Sequence, residues 1–551
     1  MPPNRPLAIA RWLAPLAAVL FAACGQGEAA LPSTVRIYVD QPLAERALAA
    51  AGEYLASRGL TAEAAPDASQ ADLVVSTAPE LAGERGFAAG YWVPVVALPH
   101  PARALTMAQL GDALTGNLAD WSPITGESVP LRVLVPTDPS PPIGYWWPDI
   151  TPTAETLPLA DIPAALAADA GALALLPLDA VDARVRSLAV DGTNIVFGAG
   201  DPGSYPLTEL AWIVSREVES ERFAQLLSQL AIEIGKRSAV PPPDPIILRA
   251  TGDIIPARCA YAKQRDYGDF RHAFLEVGPW LAQADITVGS LDAALSDAGV
   301  PFGCVDTFSL MAPAASVEGL AYSGFDVITV ATNHVKDCGQ AACGDQAFFD
   351  TLANLRANGI EPVGGGADLA EARKPAILTV DGVRFAFLGY DEIAPYYHAE
   401  PGVPGTAPLD EAYVREDVAA AAQQADVVVV LPQWGVEYTA DPTFAQQALA
   451  AAAVEAGAGM VIGNHPHWVE AAEVIDGAFV AYALGNFVFD QDWSVETQQG
   501  VVLEAAFHGA QLKGVEYYPI RILDEHQPVF AGPEEARQIL DRIWTASAAL
   551  P

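Results

Sequence analysis

Six short apolar runs in the second half of the chain each end in residues able to bind a metal ion or carry a proton. IILRATGD closes on Gly252-Asp253, DITVGSLD on Ser290-Leu291-Asp292, and DVITVATNH on Asn333-His334. ILTVDGVRFAFLGYDE closes on Asp391-Glu392, DVVVVLPQWG on Gln433-Trp434-Gly435 with Glu437 just beyond, and GMVIGNHPH on Asn464-His465-Pro466-His467. Carboxylates, amides and imidazoles in one place are a usual ligand set for one or two divalent ions such as Mn, Fe or Zn. The chain has 8 histidines, and His334, His465 and His467 all fall in these run ends, which an even scatter would seldom produce. An H-x-H spacing after a strand turns two imidazoles toward one place. Each signal also has a plainer reading: Asp253 as a helix cap, Asn333 as a turn residue, His334 as a buried hydrogen-bonded histidine. Gln433, Trp434 and Glu437 are the candidate substrate-binding residues, Trp434 as a wall or packing residue because indole offers no metal-binding atom.

An α/β sheet would position these residues. Its strand cores are buried, and the loops beyond their carboxyl ends converge on one crevice. Helical spacers, for example 348–358 and 444–456, separate the runs, and no repeat of fixed period suggests a solenoid. Upstream, runs such as VRIYVD and DLVVST alternate with helical stretches such as LAERALAAAGEYLASRGL, again an α/β pattern. Three consecutive prolines, Pro241 to Pro243, interrupt any helix or central strand and mark a linker at 238–244. The expected organisation is a smaller α/β domain at 34–237, the linker, a larger α/β domain at 245–524, and a C-terminal segment at 525–551.

The amino terminus sets the expected compartment. Arg5 and Arg11 precede the apolar stretch WLAPLAAVLFAA, which is the layout of an export signal rather than a membrane span. Ala22-Ala23-Cys24-Gly25 resembles a bacterial lipoprotein lipobox, with Phe21 where Leu is commoner. The expectation is a signal peptide at 1–23, lipid on Cys24, a tether at 24–33, and an extracytoplasmic protein anchored to the cell membrane; an ordinary cleaved signal or an uncleaved anchor is the alternative. The 551 residues are 51% hydrophobic and 18% charged, a globular composition, and the formal charge of -39 opposes general attraction to nucleic acid or anionic lipid. Four cysteines follow Cys24; in an exported protein they permit two disulfides, with Cys259–Cys304 and Cys338–Cys343 favoured over other pairings, a zinc site or free buried thiols.

Taken in order, TGDIIPAR, ADITVGSLDAAL, GFDVITVATNHVKDCG, LPQWGVEYTADP, AGAGMVIGNHPHWVEAAEVIDG and YALGNFVFDQ closely resemble the bacterial CapA family of capsule-synthesis, or poly-gamma-glutamate biosynthesis, proteins. The resemblance implies a calcineurin-like metallophosphoesterase fold, an α/β/β/α sandwich with a metal centre at its strand ends. It also implies metal ligands at Asp253, Asp292, Asn333, His465 and His467, and catalytic roles for Arg258 and for His334 as proton donor. More softly, ALTMAQLGDALTGNLADWSPITG and GALALLPLDAVDARVRSLAVDG resemble parts of phosphate-type periplasmic substrate-binding proteins.

Three positions depart from the CapA pattern: Ser290-Leu291-Asp292 replaces Asn-Leu-Glu, Gln433 replaces the histidine of His-Trp-Gly, and Asn464 stands where histidine is frequent. Glutamine is a poorer ligand than imidazole for a borderline metal. Two functions therefore stay open. One is a metal-dependent, phosphoesterase-like hydrolase acting on an anionic extracellular polymer or working with its synthesis machinery. The other is a non-catalytic scaffold or ligand-sensing module that keeps the fold.

Overall fold

The computed structural model describes residues 31–40, 43–78 and 85–550; the signal-like run and Cys24 lie outside the described residues. The chain forms two compact units, Met1–Phe87 with Ala211–Ala239, and Ala88–Leu210 with Val240–Pro551. Both are mixed α/β. Among the described residues no helix is long and apolar enough to cross a membrane.

In the first unit the parallel strands Thr61–Ala64, Thr34–Val39 and Leu73–Ser76 lie side by side, and Trp212–Ser215 pairs antiparallel to the last. Helices Ala44–Ala56 and Glu221–Ser238 bury Ala47, Ala51, Leu55, Leu227, Leu230 and Ile234. Ser220 caps the second helix through its hydroxyl, and Lys236 and Arg237 in its last turn complement the helix dipole.

The second unit contains the α/β/β/α sandwich that the family resemblance implies. One sheet has the order Glu361–Val363, Val327–Thr329, Ile286–Leu291, Ile246–Ile254, Gln499–His508, Gln511–Leu523, Gln527–Phe530, with Asn486–Val488 beside Ile246–Ile254. The other has the order Ala376–Val380, Val383–Asp391, Val427–Gln433, Met460–Ile462, Ala478–Ala481, Ala472–Ile475. Their facing sides share one core, where Leu248, Ala250, Val288 and Val327 meet Phe385, Phe387, Val429 and Leu431. On the outer faces, Phe348, Leu352 and Leu355 of helix Gln346–Ala357 cover the first sheet, and Val414, Val418, Ala450 and Ala453 cover the second. Strands buried on both faces read as unbroken apolar runs, which is why the sequence displayed them so clearly.

The run ILTVDGVRFAFLGYDE, expected as one strand, is instead an antiparallel hairpin of Ala376–Val380 and Val383–Asp391. Asp381 and Gly382 both take positive φ, 47° and 82°, which suits a two-residue hairpin turn. The C-terminal helix Pro533–Ser547 packs Ile539 and Ile543 into the inter-sheet core. Within the same unit, strands Ala172–Pro177, Arg132–Pro136 and Glu155–Leu157 lie side by side, and Trp92–Val95 pairs antiparallel to the first. Disulfides join Cys259 to Cys304 and Cys338 to Cys343.

Candidate functional site

Strand register brings the polar run ends level with one another. Asp253 pairs with Ser290 and Ser290 with Thr329 in one sheet; Asp391 pairs with Gln433 and Gln433 with Asn464 at the edge of the other. A hydrogen bond from Ser290 Oγ to Gln433 Oε1 (3.3 Å) joins the two edges, and Gln433 Nε2 donates to Asn333 Oδ1 (3.2 Å).

Close backbone approach makes this edge possible. A Cβ on Gly252 would lie 1.9 Å from the Gly485 carbonyl oxygen, so only glycine lets the strand come near enough for Asp253 N to donate to that oxygen at 3.0 Å. A Cβ on Gly463 would strike the Tyr482 carbonyl oxygen at 2.1 Å and the Trp434 indole at 2.3 Å. Around these contacts the backbone is strained at Arg258, Tyr438, His465 and His467, with φ of 51°, 65°, 102° and 60°. The remaining positive-φ non-glycine residues are acidic turn residues, so the strain held by large side chains is concentrated here, as at functional sites generally.

Asp253 and Asp292 are fully buried carboxylates. Asp253 Oδ2 accepts from His465 N (3.2 Å) and lies 3.3 Å from His467 Nδ1; Asp292 Oδ1 accepts from His334 N (3.2 Å). Their other oxygens, Asp253 Oδ1 and Asp292 Oδ2, have no hydrogen-bond partner, and neither do Asn464 Oδ1 and His465 Nδ1. Burial pushes the Asp292 carboxyl up to about 6, with His334 opposing the rise and Asp253 adding to it. Burial pushes His465 down to about 3, reinforced by His467 and His334, so its ring is neutral, and its Nδ1 has no hydrogen-bond partner. Burial alone would lower His467, but Asp253, Asp292 and Glu437 outweigh it and raise the ring's pKa. The same balance holds at His334, where Asp292 and Asp337 overcome burial. His334 Nδ1 pairs with Asp337 Oδ2 at 2.7 Å, and His467 Nδ1 with Asn486 Oδ1 at 2.9 Å, which directs both Nε2 atoms away from those partners.

The structure therefore gathers Asp253, Asp292, His334, His465 and His467 within mutual electrostatic reach, and ties Asn333 to them through Gln433. Glu437 is an exposed neighbour of this group. Arg258 is bound by Asp490 through Nε and Nη2, and donates through Nη1 to the Thr307 carbonyl oxygen. Trp434, expected to face a substrate, is only 1% exposed and donates Nε1 to the Tyr482 carbonyl oxygen at 2.8 Å. The missing side chain at Gly463 makes room for the indole. Gln433 is likewise buried and spent on Ser290 and Asn333. Asp391, at another run end, is consumed by Ile393 N, Ala394 N and the Thr406 hydroxyl.

Sequence reasoning did not single out the supporting residues Asp337, Asn486 and Asp490, or Asn464 as a free acceptor. Asn486 and Asp490 lie in the motif YALGNFVFDQ, and Asp337 sits three residues after His334, so spacing alone held a signal for each. Tyr438, which stacks near His467 and contacts Trp493 edge-on, had no such signal.

The unpartnered atoms provide a test of whether a divalent cation suits the site. Two buried carboxylates, an amide oxygen and a neutral imidazole, each with an unpartnered polar atom, are oxygen and nitrogen donors of the right kind. No three histidine, cysteine or carboxylate ligand atoms here lie within 4.8 Å of one another. Among the described residues the one such trio is Cys259, Cys304 and Glu525, whose sulfurs are bonded together. The donor set fits in kind, and its spacing is looser than a closed coordination sphere with donors ~2 Å from the ion.

Residues 247–491 match the family described as "Bacterial capsule synthesis protein PGA_cap". The PGA biosynthesis protein CapA of Bacillus subtilis (strain 168) is 38% identical over 181 residues, 32% of this chain and 46% of that protein. Over this segment the chain is similar to the CapA family. The capsule biosynthesis protein CapA of Bacillus anthracis is 30% identical over 256 residues, covering 45% of this chain and 61% of its own length. The chain thus spans about half the length of these CapA relatives. Among solved structures, an ABC-type phosphate transport receptor from Vibrio cholerae aligns over 38% of this chain and 100% of its own, with 15% identity and a TM-score of 0.28.

Proposed function

We propose that this chain acts outside the cytoplasm, held to the cell membrane by lipid on Cys24, in the synthesis, export or attachment of an anionic capsule polymer of poly-gamma-glutamate type, through a metal-dependent phosphoesterase-like site. The observation that carries the chemical part is the set of buried, unpartnered polar atoms Asp253 Oδ1, Asp292 Oδ2, Asn464 Oδ1 and His465 Nδ1. Leaving that many polar atoms buried without partners costs about 1–3 kcal/mol each, so folds retain them where a ligand completes them. Asp253, Asp292, His465 and Asn464, with His467, would hold a Mn, Fe or Zn ion. When bound, such an ion supplies Lewis acidity toward a phosphoryl oxygen and lowers the pKa of an attacking water. His334, oriented by Asp337, leaves Nε2 to hold or release a proton beside Asp292. Trp434 and the strained His465–His467 turn exclude water.

A second reading, the non-catalytic scaffold, is favoured by the closed chain Ser290–Gln433–Asn333, which uses up donors and acceptors on one side of the site. One experiment separates the two. The purified protein, dialysed against Mn, Fe or Zn, is assayed for bound metal and for hydrolysis of bis-p-nitrophenyl phosphate. The hydrolase reading expects about one ion per chain, loss of most of it in His467→Ala together with activity, and tighter binding in Gln433→His. Absence of both metal and turnover in a folded protein would leave the scaffold. Location is tested by fractionation: Cys24→Ser should move the protein out of the membrane fraction, and an unchanged distribution would refute the anchor.

A further inference from the structure

A cavity of about 640 Å³ lies in the second unit, between the Ala88–Leu210 segment and the first sheet of the sandwich. Arg249 lines it, four residues before Asp253 on strand Ile246–Ile254, so along that strand the cavity stands ~13 Å from the site described above. Its walls include the aromatic rings of Trp280, Tyr518, Phe530 and Phe197. The Arg249 guanidinium stacks 3.6 Å from the Trp280 ring and pairs with Glu504 at 2.7 Å, while the Tyr518 hydroxyl donates to the other Glu504 oxygen at 3.0 Å. That corner is electrically closed.

The opposite corner is not. Arg103 and Arg186 both bind the single carboxylate of Glu516. Arg186 is almost wholly buried; its Nε lies 3.0 Å from Glu516 Oε1 but lacks hydrogen-bond alignment. Burial lowers its pKa to about 10; Glu516 opposes the fall and the nearby Arg103 charge deepens it. The Arg103 side chain is 42% exposed and makes one hydrogen bond among the described residues, from Nη1 to Glu516, which leaves its other guanidinium N–H groups free. Two guanidinium groups, Arg103 and Arg249, and two carboxylates, Glu504 and Glu516, thus line the cavity, and the buried Arg186 adds a third positive charge behind Glu516, in a chain whose formal charge is -39. A locally positive, mostly apolar cavity of this volume has the make-up of a small-molecule site.

We propose that this cavity binds a small organic anion, its acidic group on Arg103 and its apolar body against Phe530, Trp280 and Phe197. Arg103 offers a free planar donor fork for a carboxylate, sulfonate or phosphate, and the aromatic walls hold whatever ring or chain bears that group. The site is separate from the strand-end site and does not depend on its chemistry.

The test uses two probes that differ by one charge, 1-anilinonaphthalene-8-sulfonate and the uncharged N-phenyl-1-naphthylamine, titrated by fluorescence into the full-length protein. The sulfonate should saturate at about one site per chain and bind roughly 10-fold more tightly than the neutral probe, the effect of one charge-assisted contact. Arg103→Ala should remove that preference and leave the neutral probe unchanged; Phe530→Ala should weaken both. Arg103 and Phe530 are partly exposed, so both variants should keep the wild-type melting profile. Equal affinity for the two probes, sulfonate binding indifferent to Arg103→Ala, or no saturable sulfonate binding would each overturn the proposal.

Discussion

Arg258→Ala should unfold far more easily than the wild type, losing about 3–5 kcal/mol, because it strands the Asp490 carboxylate in the interior. Asp490 has a side chain only 3% exposed, and apart from two Arg258 nitrogens it accepts from Cys259 N alone. At roughly 2–4 °C per kcal/mol, the melting temperature should fall by on the order of 10 °C. The double variant Arg258→Met/Asp490→Leu should recover much of that loss, since it leaves no buried charge unpaired, although the Cys259 N–H loses its acceptor. The positive φ at Arg258 persists in either variant, so backbone strain cancels in the comparison. Denaturant titration of the three proteins checks the result, and equal stability of the single variant and wild type would show that the pair contributes little. The same series separates structure from catalysis: an arginine that touches substrate should lose activity in the double variant even where stability returns.

Asp292→Asn should stabilise the chelator-treated protein and abolish the stabilisation that a divalent ion confers on the wild type. The carboxyl is buried, and its folded pKa stands near 6 against an ordinary 3.8. With the folded value raised, the folded state holds the proton more tightly than the unfolded chain. The Asp292 contribution to stability is therefore fully present below pH ~4, is lost as pH rises from about 4 to 6, and stays absent above that. The full loss is about 3 kcal/mol by linkage. Wild type and Asp292→Asn should accordingly converge near pH 4 and differ most at pH 7–8 when metal has been removed. With Mn added at neutral pH the order should reverse, because only the wild type gains the ion's binding energy. Melting curves at pH 4 and 7.5, with and without metal, decide it; a variant less stable than wild type in chelator would show that Asp292 is satisfied within the fold.

The run ends Asp253, Asp292, Asn333-His334 and His465-x-His467 were legible from sequence because a parallel strand buried on both faces must be apolar throughout, so its first polar residues mark its carboxyl end. The α/β/β/α expectation came from the family resemblance that the ordered motifs carry, and the even cysteine count after Cys24 permitted the two favoured pairings, which are the ones observed. Tertiary structure alone decided which of these residues meet. Ser290 and Gln433 are 143 positions apart, and Arg258 and Asp490 are 232 apart. Their contacts depend on sheet order and on two sheets packing face to face, which no local period encodes. The hairpin at Asp381-Gly382 required knowing that the chain reverses there rather than continues, and the burial of Trp434 depended on a glycine, Gly463, from another strand end. The cavity at Arg103 is the extreme case: its residues come from both chain segments of one unit, and each looks like ordinary surface or core until the fold sets two arginines on one glutamate. Local sequence determines what each strand end can do chemically; the long-range packing of sheets determines which ends share a site, because that packing is settled by the whole core at once.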